Sequence, residues 1–244
     1  MKLIDCNCHF GKTVNYDPGA FYEKHDLLLK MELFNIEKAL VYHSQARDYS
    51  PLEGNKLLLE EINENSNLLP VFVVIPNHTG EFMDITEIDK RVKAVRLFPS
   101  MNRQNFSLMD YSSKEIYDFC ATSNLPVMID IDETSWDMVD MILSNHYNLK
   151  LIISNTGYRA DRYIYPLMKK HQNLYIETSR YSGHQAIENF IDHFGSEKIL
   201  FGSGMPVYSG GGGAYYIEHL MISDRDRENI AYSNMSRLID EVSL

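Results

Sequence analysis

At 244 residues the chain is close to the roughly 250 of one (β/α)8 barrel, long enough to bury a large core without disulfides or a structural metal. A composition 44% hydrophobic and 23% charged is that of an ordinary globular protein and excludes a disordered, fibrous or membrane-embedded class. The net charge of -11 opposes general binding to nucleic acid or anionic membrane, since both need Lys and Arg against phosphate. No apolar run approaches the roughly 20 residues a bilayer requires, and no basic-then-apolar leader precedes the strand-like start, so a cytoplasmic location is expected.

The first predicted strand, Leu3 to Cys8, carries two of the three cysteines. Cys6 and Cys8 are two apart, which on an unbroken strand sets both on one face but makes a bond between them strained. With Cys120 as the third, reduced thiols are expected, and Cys-x-Cys-His lacks the second cysteine pair of a zinc site. Helical periodicity follows over Ala20 to Leu33, then a strand from Ala39 to Tyr42, a helix from Asn55 to Asn65, a strand from Val71 to Ile75 and a thinner helical pattern over Ile85 to Val92. The same alternation continues through strands at Ala94 to Leu97, Val127 to Ile131, Leu151 to Ser154, Leu174 to Thr178 and Ile199 to Ser203. Helices at Ser113 to Ser123, Trp136 to Ser144, Arg162 to Lys170 and Ala186 to His193 separate them. Ser112-Ser113 offers an N-cap hydroxyl, and Asp224 can open a last helix.

Eight Val- and Ile-rich runs alternating with helices are the pattern of parallel βα units. An open dinucleotide-binding sheet would show Gly-x-Gly-x-x-Gly after its first strand, where this chain has Asn7-Cys8-His9-Phe10-Gly11. The glycine run Gly210 to Gly213 comes too late and lacks the Lys-Ser/Thr of a phosphate loop. It reads as a loop after the eighth strand, with a lid or an anion-binding turn opening a helix near Ala214 as the alternatives. The expected fold is a single-domain (β/α)8 TIM barrel over residues 1–244.

The opening Ile4-Asp5-Cys6-Asn7-Cys8-His9-Phe10-Gly11 resembles the Ile-Asp-x-His-x-His-x-Gly start of the amidohydrolase-related barrels, a branch with hydrolases, lactonases and decarboxylases. Leu125 to Asp130, Leu149 to Gly157, Asn173 to Ser179 and Ile199 to Pro206 resemble that family's fifth to eighth strand segments, in order, and Asp226 to Ile239 its C-terminal helices. The resemblance implies a metal site at the C-terminal ends of the strands, and there the side chains depart from the pattern. Asn7 stands for the first His, His9 for the second, Asp130 for the fifth-strand His, Asn155 for the sixth-strand His and Gly204 for the eighth-strand Asp. His9 alone keeps the expected side chain, and Gly204 can neither ligate nor move a proton. No metal ligand set is therefore expected, with zinc or another divalent metal left as an alternative if Asp132 or Glu133 joins His9 and Asp130.

The polar residues at or just beyond predicted strand ends include Asn7, His9, His43, Asn77, His78, Arg96, Asp130, Asn155, Glu177 and Ser203. Arg96 sits in an otherwise apolar strand, where a guanidinium needs either an internal carboxylate such as Asp130 or Glu177, or an anionic ligand. His9 and His43 are candidate acid/base residues if they converge on Asp130, and Asn7, Arg96, Asn155, Glu177 and Ser203 are candidate ligand contacts. Two functions follow: hydrolysis of a small carboxylate-bearing ester or lactone without metal, or ligand binding by a barrel that has lost catalysis. Decarboxylation ranks third, and homodimerisation is implied by the resemblance.

Overall fold

The computed structural model describes all residues except 15, 16, 18 and 64. Eight parallel strands stand side by side in chain order: β1 Leu3–Phe10, β2 Ile36–His43, β3 Leu68–Val73, β4 Ala94–Leu97, β5 Val127–Asp130, β6 Leu151–Ser154, β7 Leu174–Glu177 and β8 Ile199–Leu200. β8 is shorter than its sequence pattern, because beyond Leu200 the chain turns to bond β1. Phe201 accepts from the Cys6 amide at 2.9 Å, the Gly204 amide donates to Asn7 at 2.8 Å, and Met205 accepts from the His9 amide at 3.0 Å. Asp5, fully buried, completes this seam by accepting the Ser203 amide at 2.9 Å and the Ser203 hydroxyl at 2.5 Å. The barrel is as the sequence predicts.

Between the strands lie α1 Lys24–Leu33, α2 Ser44–Asp48, α3 Pro51–Ile62, α4 Asp110–Thr122, α5 Trp136–Asn145, α6 Asp161–Lys170 and α7 Ala186–Phe194. After β8 come α8 Gly210–His219, α9 Asp224–Glu228, a π-helical turn and α10 Asn234–Asp240. α3 starts earlier than its periodicity suggests, since the Ser50 hydroxyl accepts the Glu53 amide and Pro51 holds the first helical position. The pattern over Ile85 to Val92 yields only a 3-10 turn at Ile85–Glu87. Asp84 and Asp89 each accept the amide two residues on, local bonds that compete with helix.

The glycine run is helical. A side chain on Gly210 would lie 2.6 Å from the Met205 sulfur and one on Gly211 2.7 Å from the Phe34 ring, so these glycines let α8 settle onto Phe34 and Met205.

Strand alternation assigns the lumen. Leu40, Tyr42, Val71, Val73, Ala94, Phe98, Met128, Ile152, Tyr175 and Leu200 form one buried inner cluster, floored by Met235, Leu238 and Ile239 of α10. Val41, Val95, Leu97, Ile129, Ile153 and Ile176 pack outward against the helices. On β1 the alternation breaks. The pairing advances by three residues from Asp5 to Cys8 while β2 advances by two, a β-bulge. Cys6 accordingly joins the inner cluster and Cys8 the outer one, which corrects the expectation that both point the same way. All three cysteines are free and buried.

Candidate functional site

Within the bulge, Asn7 faces the lumen, and the uppermost inward positions of four other strands join it in one hydrogen-bonded network. Two residues along from Ala94, Met128, Ile152 and Tyr175 come Arg96, Asp130, Ser154 and Glu177. Arg96 is 2% exposed and donates from Nη1 to the Asn7 Oδ1 at 2.7 Å, and from Nη2 to the Asp130 Oδ1 at 2.5 Å and the Ser154 hydroxyl at 3.3 Å. Ser154 in turn donates to Asp130. The guanidinium lies over the rings of Tyr42 and Phe98, with centroids at 5.0 and 5.3 Å, so stacking as well as charge fixes it. Burial works against its charge, but Asp130 and Glu177 raise its affinity for the proton on balance.

Glu177 is fully buried. Its Oε1 accepts from the Asn155 amide at 3.0 Å, the Ser179 hydroxyl at 2.7 Å and Asn7 Nδ2 at 3.3 Å, and its Oε2 from the Ser179 amide at 2.6 Å. Burial pushes its pKa up despite those donors. Its place depends on Gly202, where a side-chain carbon would come within 2.1 Å of Oε2. Asn155 enters the site through its backbone; its φ of 57° is left-handed, and its side-chain oxygen is buried without a partner among the described residues. Ser203 is held on Asp5, and its oxygen also accepts the Met205 amide at 3.0 Å.

His9, on the same face as Asn7, stacks on Tyr42 with centroids 4.9 Å apart. It is 5% exposed, and its Nε2 is buried with no hydrogen-bonding partner among the described residues. Burial, then the charges of Arg47, Arg96 and Arg103, hold its pKa well below the usual imidazole value, so the ring is neutral at neutral pH. His43 lies elsewhere. One residue beyond the inward Tyr42, it turns outward, meets Phe10 edge-on, accepts the Gln45 amide at 3.2 Å as the cap of α2 and comes within 3.5 Å of Glu61. Of the anticipated contacts to Asp130, the structure brings Arg96, and among the described residues neither His9 nor His43 bonds to it. Asn77 and His78 serve their loop, Asn77 accepting the Phe82 amide and His78 bonding the Ser112 carbonyl.

Beside His9 opens a cleft of about 200 Å3 whose walls include Arg47, Asp48, Arg103, Asp17 and Pro206. Asp48, with its side chain 1% exposed, accepts from Arg47 Nε at 2.7 Å and Nη2 at 2.9 Å, and from Arg103 Nη1 at 2.7 Å. Arg47 also reaches the Tyr42 hydroxyl at 3.2 Å, which links the cleft to the lumen. These residues were not singled out in the sequence. The Arg47-Asp48 pair just past the second strand was the available signal, but its charges read equally well as a solvated helix.

The residues present do not fit a divalent cation. Among the described residues no three His, Cys, Asp or Glu side chains gather closely enough to hold one. Asp132 is exposed, 3.8 Å from Arg180, and Glu133 accepts the Ser100 amide at 2.9 Å. The Asn7 Oδ1 and the Asp130 Oδ1 are already joined by the Arg96 guanidinium. At the eighth-strand position Gly204 has a φ of 69° and lies against Tyr208 and Ser179.

A comparison with curated proteins finds no match. Among solved structures, an uncharacterized TIM-barrel protein of Bordetella bronchiseptica is similar over 99% of both chains, at 18% identity and a TM-score of 0.79. A putative 2-pyrone-4,6-dicarboxylic acid hydrolase of Pseudomonas putida aligns over 98% of both chains, at 15% identity and a TM-score of 0.74. A dihydroxybenzoic acid decarboxylase of Polaromonas sp. JS666, with bound manganese and 2-nitroresorcinol, aligns over 98% of this chain and 97% of its own, at 14% identity and a TM-score of 0.71. These likenesses show the fold. Residues 4–240 match the amidohydrolase family, and with a barrel that keeps the order of its strand-end segments, the chain belongs to that family.

Proposed function

We propose that this chain binds a small carboxylate-bearing molecule at the mouth of its barrel, in the cleft beside His9, without a resident divalent metal. The observation that carries the reading is the Arg96 guanidinium held between Asn7 and Asp130, where a metal would need those oxygens for itself. The anionic character of the ligand is supported by the guanidinium groups of Arg47 and Arg103 on the cleft wall, both bonded to Asp48, with Arg103 also 3.9 Å from Glu133. Asp17 and Asp48 together balance that charge formally within the cleft lining, and the Asp17 Oδ1 is turned toward the Gly19 amide at 3.0 Å. A volume of about 200 Å3 limits the occupant to a compact molecule. Two similar barrels, a putative 2-pyrone-4,6-dicarboxylic acid hydrolase and a dihydroxybenzoic acid decarboxylase, are named for acids of this kind.

Hydrolysis of an activated ester or lactone is the second reading, favoured by the neutral His9 ring on the cleft wall, the protonation state from which a general base starts. It ranks below binding because Asp130 is committed to Arg96 and Ser154 and His43 faces away. The test is a thermal-shift and turnover screen of small carboxylic acids and lactones, with elemental analysis of untagged protein. Stabilisation by acids without turnover is the expected result. Lactone turnover abolished by His9→Ala would move hydrolysis to first place, and about one equivalent of zinc or manganese, lost in Asp130→Ala, would overturn the metal-free part.

A further inference from the structure

We infer that Arg96 is a built-in cation that occupies the place of a divalent metal and keeps one out. The inference rests on the metal-free reading above and deepens it by naming the residue responsible. Three observations carry it. The guanidinium bonds simultaneously to residues of β1, β5 and β6, taking one oxygen each from Asn7, Asp130 and Ser154, so it ties strand ends together as a shared ion would. It has no route to step aside, being 2% exposed and packed over Tyr42 and Phe98. And Asn7 suits an arginine neighbour, its Oδ1 accepting from Arg96 while its Nδ2 donates to Glu177, so one neutral amide connects the cation to the second buried carboxylate.

A divalent ion bonded to the same Asn7 and Asp130 oxygens would lie within a few ångström of the guanidinium. Even at a protein-like effective dielectric, that repulsion costs well over about a hundredfold in affinity. The geometry otherwise lacks little. His9 shares the Tyr42 ring with Arg96, and Asn7 lies two residues from His9 on the same lumen face. An imidazole in place of Asn7 would complete two nitrogens and a carboxylate, the minimum for a catalytic-type zinc site.

The test titrates cobalt(II), whose visible absorption reports coordination without any assay of activity. The wild-type protein and Asn7→His should show no bound-cobalt bands, because the guanidinium remains. Asn7→His with Arg96→Met, which removes the charge and keeps an apolar stem over Tyr42, should bind about one equivalent, at least about a hundredfold more tightly than Asn7→His alone, with the bands lost on adding Asp130→Asn. Asn7→His with Arg96→Lys keeps the charge and should stay without bands, so the inference remains testable if the methionine variant does not fold. Cobalt bound by Asn7→His or by the lysine variant through Asp130 overturns the inference, as does a folded methionine variant that binds none. Asp130-dependent cobalt in the wild type would instead sink the metal-free reading itself.

Discussion

The cost of burying a guanidinium on an apolar strand was enough, from sequence, to pair Arg96 with a carboxylate, and Asp130 takes that part. His43 was misjudged for an equally local reason. Tyr42 faces the lumen, so the next residue cannot, and nothing in the composition of Ala39 to His43 says which of the two is inward. Ser154 was passed over in favour of Asn155, although it lies in phase with the inward Ile152. The eighth-strand glycine has its own physical reason. A side chain on Gly204 would meet the Tyr208 ring at 2.5 Å, from a left-handed backbone. Gly204→Asp should therefore cost about 1–3 kcal/mol in urea denaturation rather than restore an acid; an unchanged midpoint would show that Tyr208 gives way freely. Asp48 offers a pH test. Burial would raise its pKa, but the bonds and charge of Arg47, the Val14 amide and the charge of Arg103 outweigh this and leave it lowered. A carboxylate with a lowered folded-state pKa contributes stability above its unfolded value and loses it as pH falls through the folded one. Asp48→Asn should flatten the acid side of the stability profile between about pH 5 and pH 3, measured by urea midpoints, and an acid limb as steep as the wild type would assign that loss to other groups.

Elements were legible where periodicity ran long and poorly legible where turn chemistry or packing decided. All eight strands lie where the Val- and Ile-rich runs fall, but the last is cut short by the seam with β1, a tertiary contact that no local pattern announces. α8 is the clearest miss, because four consecutive glycines argue against helix, and the approach of Phe34 and Met205 explains the first two of them. The explanation separates neighbours. Gly212 has open space where a side chain would go, so Gly212→Ala should stabilise by about 0.5–1 kcal/mol, as expected for an ordinary helical position. Gly211→Ala should destabilise by about 1 kcal/mol or more, since its methyl would press on the Phe34 ring. Calorimetric melting of the two variants checks both signs, and shifts in the same direction would refute the packing account.

Across the whole molecule, the barrel is least continuous at its seam. β1 pairs with β2 along nearly its full length, whereas among the described residues its contacts with the segment that follows β8 are a bridge at Cys8 and Met205, three backbone bonds and the Asp5 carboxylate on Ser203. Asp5→Ala should speed hydrogen exchange at Cys6, His9, Ser203 and Gly204 well before it affects Met128 and Ile152, whose strands pair over four residues. Uniform loss of protection would mean that the barrel opens only as a unit. The bulge in β1 has a numerical consequence as well. Ile4 and His9 are separated by an odd number of positions, yet both look into the lumen, which an evenly pleated strand forbids. The extra residue acts as a change of phase, setting the apolar floor and the polar mouth to opposite parities of one short segment. That stretch should accept exchanges of side chain far more readily than any change of length, for deleting a single residue between Asp5 and Cys8 would turn either the floor or the mouth out among the helices.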